Sequence, residues 1–503
     1  MRLVGWLCGQ PSRKRHALTR EISQGSALCD RLVTGSGAVL HPPHFTISRP
    51  LASRCAVRHF AVIAPPFTSH VRALEALAVE LLARGNQVSW LHQADVGAVL
   101  AEPRIRFVAL GKTSHPPGSL GRVIERAARP GGPWGISRVI ADMAAGTDML
   151  CREAPDVLRQ LRVDAVLADQ MEAAGGLVAQ SMGLPFISVA AALPVNRESH
   201  LPLPVMPWGL ARSAAGERVI DSSARVYDWL MRPHGRVIAA HARAFGLAPR
   251  QALHECQSPL LQLSQTTASF DFPRRQAPQL HHVGPLRRAA ASGDLRFPPD
   301  RPRAAGRPFV FASLGTLQGG RFGLFRRIAQ SCRAEGAQLL LAHCGRLDAR
   351  QAELLDRDGA TWVTDFAPQQ AALEQADAVV THAGLNTVMD ALAAGTPILA
   401  LPIAFDQPGV AARVVHAGAG VRLLPALASP AALRRGLRTL LDDAAYRRRA
   451  QGLGQDVRAA GGVARAADLI ETALRTGRPV AADTVRSTTS PLRSIDEVAA
   501  EQA

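Results

Sequence analysis

The sequence predicts an α/β protein built from two doubly wound, Rossmann-like domains that face each other across a cleft. Three observations lead there. A strand–helix–strand pattern opens near His59, the same grammar starts afresh at Phe309, and the stretch between them, 287–308, is rich in Arg, Ala, Pro and Gly with little apolar periodicity. A chain of 503 residues also exceeds what one core serves and suits two domains of roughly 200 residues with tails. The expected organisation is an N-terminal extension at 1–57, a first domain at 58–286, a linker at 287–308, a second domain at 309–476 and a loose tail at 477–503.

The elements follow in order. His59 to Ala64 reads as a buried strand. Val71 to Arg84 places Leu74, Leu77, Leu81 and Leu82 at helical spacing, and Gly85 closes the helix. Gln87 to Leu91 is a second strand. Val163 to Ala168, Ala173 to Met182 and Phe186 to Val189 repeat strand, helix and strand, with Gly183 as the stop. In the second half Phe309 to Ser313, Gln338 to His343, Thr361 to Thr364, Ala378 to Thr381 and Ile398 to Leu401 read as short strands, with a helix at Phe322 to Glu335. Doubly wound sheets bind ligands at the carboxyl ends of their strands, so the cleft between the two domains is where chemistry is expected.

Composition narrows the function. Hydrophobic content is 47% and charged content 20%, an ordinary globular balance. The net charge of +17 raises the question of nucleic acid, but the basic residues are 56 arginines and only Lys14 and Lys112, with no basic stripe interleaved with aromatics. Nucleic-acid binding is not expected; attraction to an anionic membrane surface is. Eight Lys or Arg against Glu21 and Asp30 crowd the first 57 residues, which read as a disordered extension, a start assigned too far upstream or an Arg-rich transit peptide. The seven cysteines are scattered without a C-x-x-C pair, which fits a reducing compartment. No run of about 18 uncharged apolar residues exists.

The chemistry-bearing residues cluster between Phe366 and Gln407. Gly384, Asn386 and Thr387 open a helix directly after the strand-end His382, leaving backbone N–H groups to meet phosphate oxygens. Asp390 lies one turn further on the same face, where a carboxylate can accept from two ribose hydroxyls. Phe366 could stack on a base, and Asp406 with Gln407 suits sugar hydroxyls. Singly, each has a bland structural explanation; packing does not explain the combination at strand ends of one domain. Upstream, Ser313-Leu-Gly315-Thr316 makes a tight turn whose hydroxyls could reach phosphate. In the first domain His70 precedes the first helix and Asp169 follows a strand, so both sit at the same sheet edge; Asp164 and Glu172 are alternative acids.

This segment resembles the donor signature of the UDP-glycosyltransferases (glycosyltransferase family 1), with its W-x-P-Q, H-C-G-W-N-S, E and D-Q elements. The intervals of 8 positions from His382 to Asp390 and 24 to Asp406 agree. Phe366, Leu385 and Asp390 depart from the family's Trp, Trp and Glu. The resemblance implies a GT-B fold, with the acceptor in the first domain and UDP-glucose in the second. It implies that Phe366 stacks on uracil, that Gln369 and Asp390 contact the ribose side, and that His382, Gly384, Asn386 and Thr387 hold the diphosphate together with Ser313, Gly315 and Thr316. Asp406 and Gln407 would bind glucose. His70 would be the base and Asp169, 99 positions later, its orienting acid. No metal ion and no cofactor beyond the co-substrate are expected, since a helix terminus and His382 would serve the diphosphate. Long stretches outside the donor signature, such as Phe60 to Leu74 and Asp169 to Leu177, are similar to the branch of the family that glucosylates zeaxanthin. That likeness implies a lipid-soluble acceptor, met by a cytoplasmic protein at the inner membrane surface. Pro-rich His200 to Trp208 could line a greasy entrance. A sterol or macrolide acceptor, a UDP-sugar epimerase and a non-catalytic partner protein are the rival readings.

Overall fold

The computed structural model describes residues 57–482 apart from 130, 276, 289–294 and 299. The expectations for 1–56, for most of the linker's first half and for 483–503 lie outside the described residues.

The first sheet has seven parallel strands: β1 (His59–Ile63), β2 (Gln87–Gln93), β3 (Arg106–Leu110), β4 (Ala165–Asp169), β5 (Phe186–Ala190), β6 (Gln262–Ser264) and β7 (Leu280–His282). Their order is β3-β2-β1-β4-β5-β6-β7. The second sheet has six: β8 (Phe309–Ser313), β9 (Gln338–Ala342), β10 (Trp362–Thr364), β11 (Ala378–Thr381), β12 (Ile398–Ala400) and β13 (Gly420–Arg422), in the order β10-β9-β8-β11-β12-β13. Every pairing is parallel, so each sheet needs helices on both faces and its strands are apolar throughout. Alternation sorts the side chains. Phe60 and Val62 of β1 join one apolar cluster with Trp90, while Ala61 and Ile63 join another with Leu91. In both sheets the order reverses beside the first strand, between β1 and β4 and between β8 and β11. These are the topological switch points where a crevice opens.

Two differences from the sequence reading bear on the site. The first helix runs Thr68–Ala83, so His70 lies in its first turn rather than in the preceding loop. Thr68, Ser69 and His70 carry no apolar spacing and were invisible to a periodicity test. The end agrees: Gly85 has φ +85°, its N–H bonds Leu82 O at 3.0 Å, and Asn86 N–H bonds Leu81 O at 3.1 Å, the two bonds of a Schellman stop.

The second difference is a correction to the boundary at 476. The helix Gly462–Thr476 leaves the second domain and packs on the helix Thr68–Ala83 of the first. Ala466, Ala467, Ile470, Ala473 and Leu474 share a core with Leu74, Leu77 and Leu81. Arg84 pairs with Asp468 at 2.6 Å and Glu471 at 3.3 Å. The chain does not trail off at 477 either, because Val480 N–H donates to Leu260 O at 3.0 Å. The amphipathic spacing of this helix is visible in sequence; which domain it covers is not. Ile470→Ala should therefore destabilise the first domain by about 2–5 kcal/mol, measured by urea unfolding, although it lies far from that domain in sequence.

Candidate active site

The first domain supplies a histidine–aspartate pair. Asp169 ends β4 and is fully buried. Its Oδ1 accepts the Met171 N–H at 2.8 Å, and its Oδ2 stands 2.7 Å from His70 Nδ1. A carboxylate only accepts, so Nδ1 carries the proton and Nε2 keeps a lone pair. Burial lowers the His70 pKa, but the charge and hydrogen bond of Asp169, then the charge of Asp406, outweigh it and the net shift is upward. The alternative acids are occupied elsewhere. Asp164 accepts the His59 N–H at 2.8 Å. Glu172 caps the helix Ala173–Ser181 through Ala174 N–H and accepts from Thr147 Oγ1 at 2.7 Å, and burial pushes its pKa up to about 7.

Facing this pair are the strand ends of the second domain. Ser313 ends β8 and its Oγ accepts the Gly315 N–H at 3.3 Å; Thr316 beside it is exposed. The His382 ring lies between two glycines. A Cβ on Gly315 would fall 2.7 Å from its Cε1, and one on Gly384 2.5 Å from its Nε2. Gly315 also has φ +71°. Burial holds the His382 pKa down to about 4, against a hydrogen bond with the Ser313 backbone that raises it. The ring is neutral at working pH and brings no full charge to an anion beside it. Next to it the helix Leu385–Ala394 begins at Gly384 with no side-chain cap, so its first N–H groups remain available. Ala383, Cys344 and Phe405, all just past strand ends of this domain, hold positive φ of 63°, 57° and 56°. Non-glycine residues in that region cost of order 1–3 kcal/mol each and gather at functional sites. Gly384→Ala should displace the His382 ring and weaken UDP binding about tenfold or more in calorimetric titration, with little change in thermal stability.

The remaining predicted residues come together around the same strand ends. Gln369 Nε2 donates to Asp390 Oδ2 at 2.7 Å, and Thr387 Oγ1 donates to Gln369 Oε1 at 3.4 Å. Arg287, from the first residue of the linker, donates Nε–H to Asp390 Oδ1 at 3.2 Å. Phe366 is 69% exposed at the cleft edge. Gln407 is buried; its Oε1 accepts Ile403 and Ala404 N–H at 2.9 and 2.8 Å, which fixes the amide and leaves its NH₂ for other partners. Asp406 Oδ2 accepts the Leu193 N–H of the first domain at 3.2 Å, and burial raises its pKa. Asn386 also crosses over: Nδ2 donates to Ser69 O at 3.3 Å and Oδ1 accepts from Gln265 Nε2 at 2.7 Å. Leu385 is buried in the second domain's core.

Residues 68–455 match the model of the family described as UDP-glucoronosyl and UDP-glucosyl transferase. The chain belongs to that family. It is 51% identical over 425 residues to a zeaxanthin glucosyltransferase of Pantoea ananas, covering 84% of this chain and 97% of the relative. It is 46% identical over 417 residues to a zeaxanthin glucosyltransferase of Pseudescherichia vulneris, covering 83% and 98%. Among solved structures, the glycotransferase of kitacinnamycin superposes with a TM-score of 0.64 at 23% identity, covering 83% of this chain and 99% of that one. The calicheamicin glycosyltransferase CalG4 gives 0.62 at 21%, covering 84% and 99%. The fold is GT-B.

In this UDP-glycosyltransferase the two strand-end clusters border one cleft of about 2850 Å³. Small-molecule sites commonly occupy roughly 300–1,000 Å³, so a large second substrate fits beside a nucleotide sugar. The first-domain wall of the cleft carries Val123, Ile140, Met143, Met149, Leu230 and Ile238, with charged side chains such as Arg126, Asp142, Asp148 and Arg152 set among them. Most of it comes from the helices Leu120–Ala128, Pro133–Leu161, Ala214–Leu230 and Arg232–Ala244, none of which the sequence reading placed. The expected entrance at 200–208 is partly there: Leu203, Pro204 and Val205 line the cleft, while His200 turns its Nε2 to Pro273 O at 3.1 Å. Arg287 and Gln265 were missed as site residues because each meets its partner more than 100 positions away, with no local signal.

Proposed function

We propose that this chain transfers glucose from UDP-glucose, with inversion, to the 3-hydroxyl groups of zeaxanthin, giving the mono- and then the diglucoside. The observation that carries the reading is the His70–Asp169 pair, set across the cleft from Asp406 and the His382 cradle, in a cleft whose lining exposes more apolar than polar surface. The two zeaxanthin glucosyltransferases that match nearly their whole length at 51% and 46% identity support the acceptor.

The reaction follows from the groups present. His70 Nε2 takes the proton as the acceptor hydroxyl attacks the anomeric carbon from the face opposite UDP. The bond from that carbon to the diphosphate oxygen breaks, and UDP leaves with the electron pair. Asp169 keeps the imidazole in the receptive tautomer and stabilises the imidazolium. The leaving charge meets the N–H groups at the start of the helix Leu385–Ala394, the His382 ring and the turn at Ser313–Thr316. Asp406 and Gln407 bind glucose hydroxyls, Asp390 and Gln369 the ribose, and Phe366 stacks on uracil. Arg287 then shares Asp390 with the ribose or yields it.

No metal takes part in this scheme. Initial rates should stay within a factor of two when EDTA replaces magnesium; loss of turnover restored by Mg²⁺ would refute that part. The acceptor reading is tested by offering zeaxanthin, a sterol and a macrolide aglycone with UDP-glucose. Glucosylation of zeaxanthin with the highest kcat/KM is expected, and preference for another alcohol contradicts it. A largely apolar alcohol of this kind resides in a bilayer, so the protein works at a membrane surface, on the cytoplasmic face that also holds UDP-glucose. Among the described residues no helix is long and apolar enough to cross a membrane.

A further inference from the structure

Among the described residues, seven large hydrophobic side chains of the first domain are exposed, and six of them sit on two helices. Trp134 (84% exposed) and Ile136 (46%) lie in the first turn of Pro133–Leu161. Val219, Val226, Trp229 and Leu230 lie on Ala214–Leu230. Val219, Val226 and Leu230 fall at i, i+7 and i+11, a single exposed stripe beside the buried Ile220 and Ser223. Such clustering is not the scattered exposure ordinary surfaces show. Ile136, Trp229 and Leu230 also line the cleft, so both helices bring exposed apolar side chains to it.

The two segments that carry these side chains are basic. Between 120 and 142 and between 212 and 236 stand nine arginines against five acids. Two of those acids are already taken, Asp142 by Arg126 and Asp228 by Arg197. Arg218 and Arg225 flank the apolar stripe. Tryptophan beside arginine on an amphipathic face is the composition that settles at the headgroup level of an anionic bilayer.

We infer that this collar is a lipid-docking surface that seats the mouth of the acceptor cleft on an anionic bilayer, so that an apolar acceptor passes from the membrane into the cleft without crossing water. The inference deepens the proposed function and rests on its lipid-soluble acceptor. A second copy of the chain is the competing occupant; the flanking arginines favour lipid, because two such faces would set like charges together.

The test uses a triple variant, Trp134→Ser, Val219→Glu and Val226→Glu, whose residues are exposed and do not line the cleft. Wild-type protein should co-sediment with phosphatidylcholine vesicles containing phosphatidylglycerol, and the variant's partition coefficient should fall at least tenfold. With detergent-solubilised zeaxanthin the variant should turn over like wild type, whereas with vesicle-embedded zeaxanthin it should lose a similar factor. Equal partition of variant and wild type overturns the inference. So does a wild-type dimer in sedimentation velocity that the variant breaks while neither protein binds vesicles. If vesicle binding is lost as expected but neither protein glucosylates zeaxanthin in either medium, the acceptor reading fails and the docking surface stands.

Discussion

His70→Gln lowers kcat by about 10² to 10⁴ and leaves UDP affinity unchanged. General-base catalysis by a placed imidazole contributes on that order. Glutamine is the informative replacement. Its amide can still donate to Asp169, whose carboxylate is fully buried and would cost about 1–3 kcal/mol if left short of a partner. It cannot accept a proton from an alcohol at neutral pH. The variant therefore separates the loss of the base from the loss of a hydrogen bond. UDP titration reads the second domain, where the nucleotide is proposed to sit, and should not change. A variant that retains more than a tenth of wild-type kcat removes His70 from the role of base.

Asp169→Asn has an effect of similar size with a different signature. An asparagine amide can donate to Nδ1, which then gives up its proton to Nε2 and leaves the lone pair on the wrong nitrogen. A fall in kcat of about 10² to 10⁴ is expected. The pH profile carries the second readout. Burial lowers the His70 pKa, and Asp169 is the main group that reverses this, so the wild-type imidazole titrates above 6.5. The base acts only when neutral, so wild-type kcat/KM falls as pH drops through that raised value. With Asp169 neutralised, burial dominates and the acid limb of the surviving activity moves to lower pH. An acid limb unmoved by the substitution would show that Asp169 does not set the charge state of His70.

The two-domain fold was legible because parallel strands covered on both faces are short continuous apolar runs. His59–Ile63 and Phe309–Ser313 stand out for that reason. β6, β7 and β13 have three residues each and carry no pattern of their own; they exist because neighbouring strands template them. That His70 and Asp169 share a sheet edge was readable from two strand ends of one sheet, since β1 and β4 are adjacent in the observed order; the choice of Asp169 over Asp164 and Glu172 came from the family resemblance. Helical spacing put Asp390 one turn past Asn386 and Thr387, whereas the place of Gln369 beside it came from the family resemblance. The grip of Arg287 on Asp390, the crossing of Asn386 to Ser69 and Gln265, and the return of Gly462–Thr476 to the first domain depend on how the two domains are docked. No local pattern encodes that docking. The first-domain wall of the cleft escaped for a related reason: its residues come from four helices, and only their meeting makes a surface.

Incubating the purified protein with UDP-glucose and detergent-solubilised zeaxanthin, then taking the mass spectrum of the extracted pigment, tests the central claim most directly. The account predicts pigment heavier by one hexosyl unit early and by two units late, with an equivalent release of UDP. Unmodified pigment from a preparation that still binds UDP would contradict it.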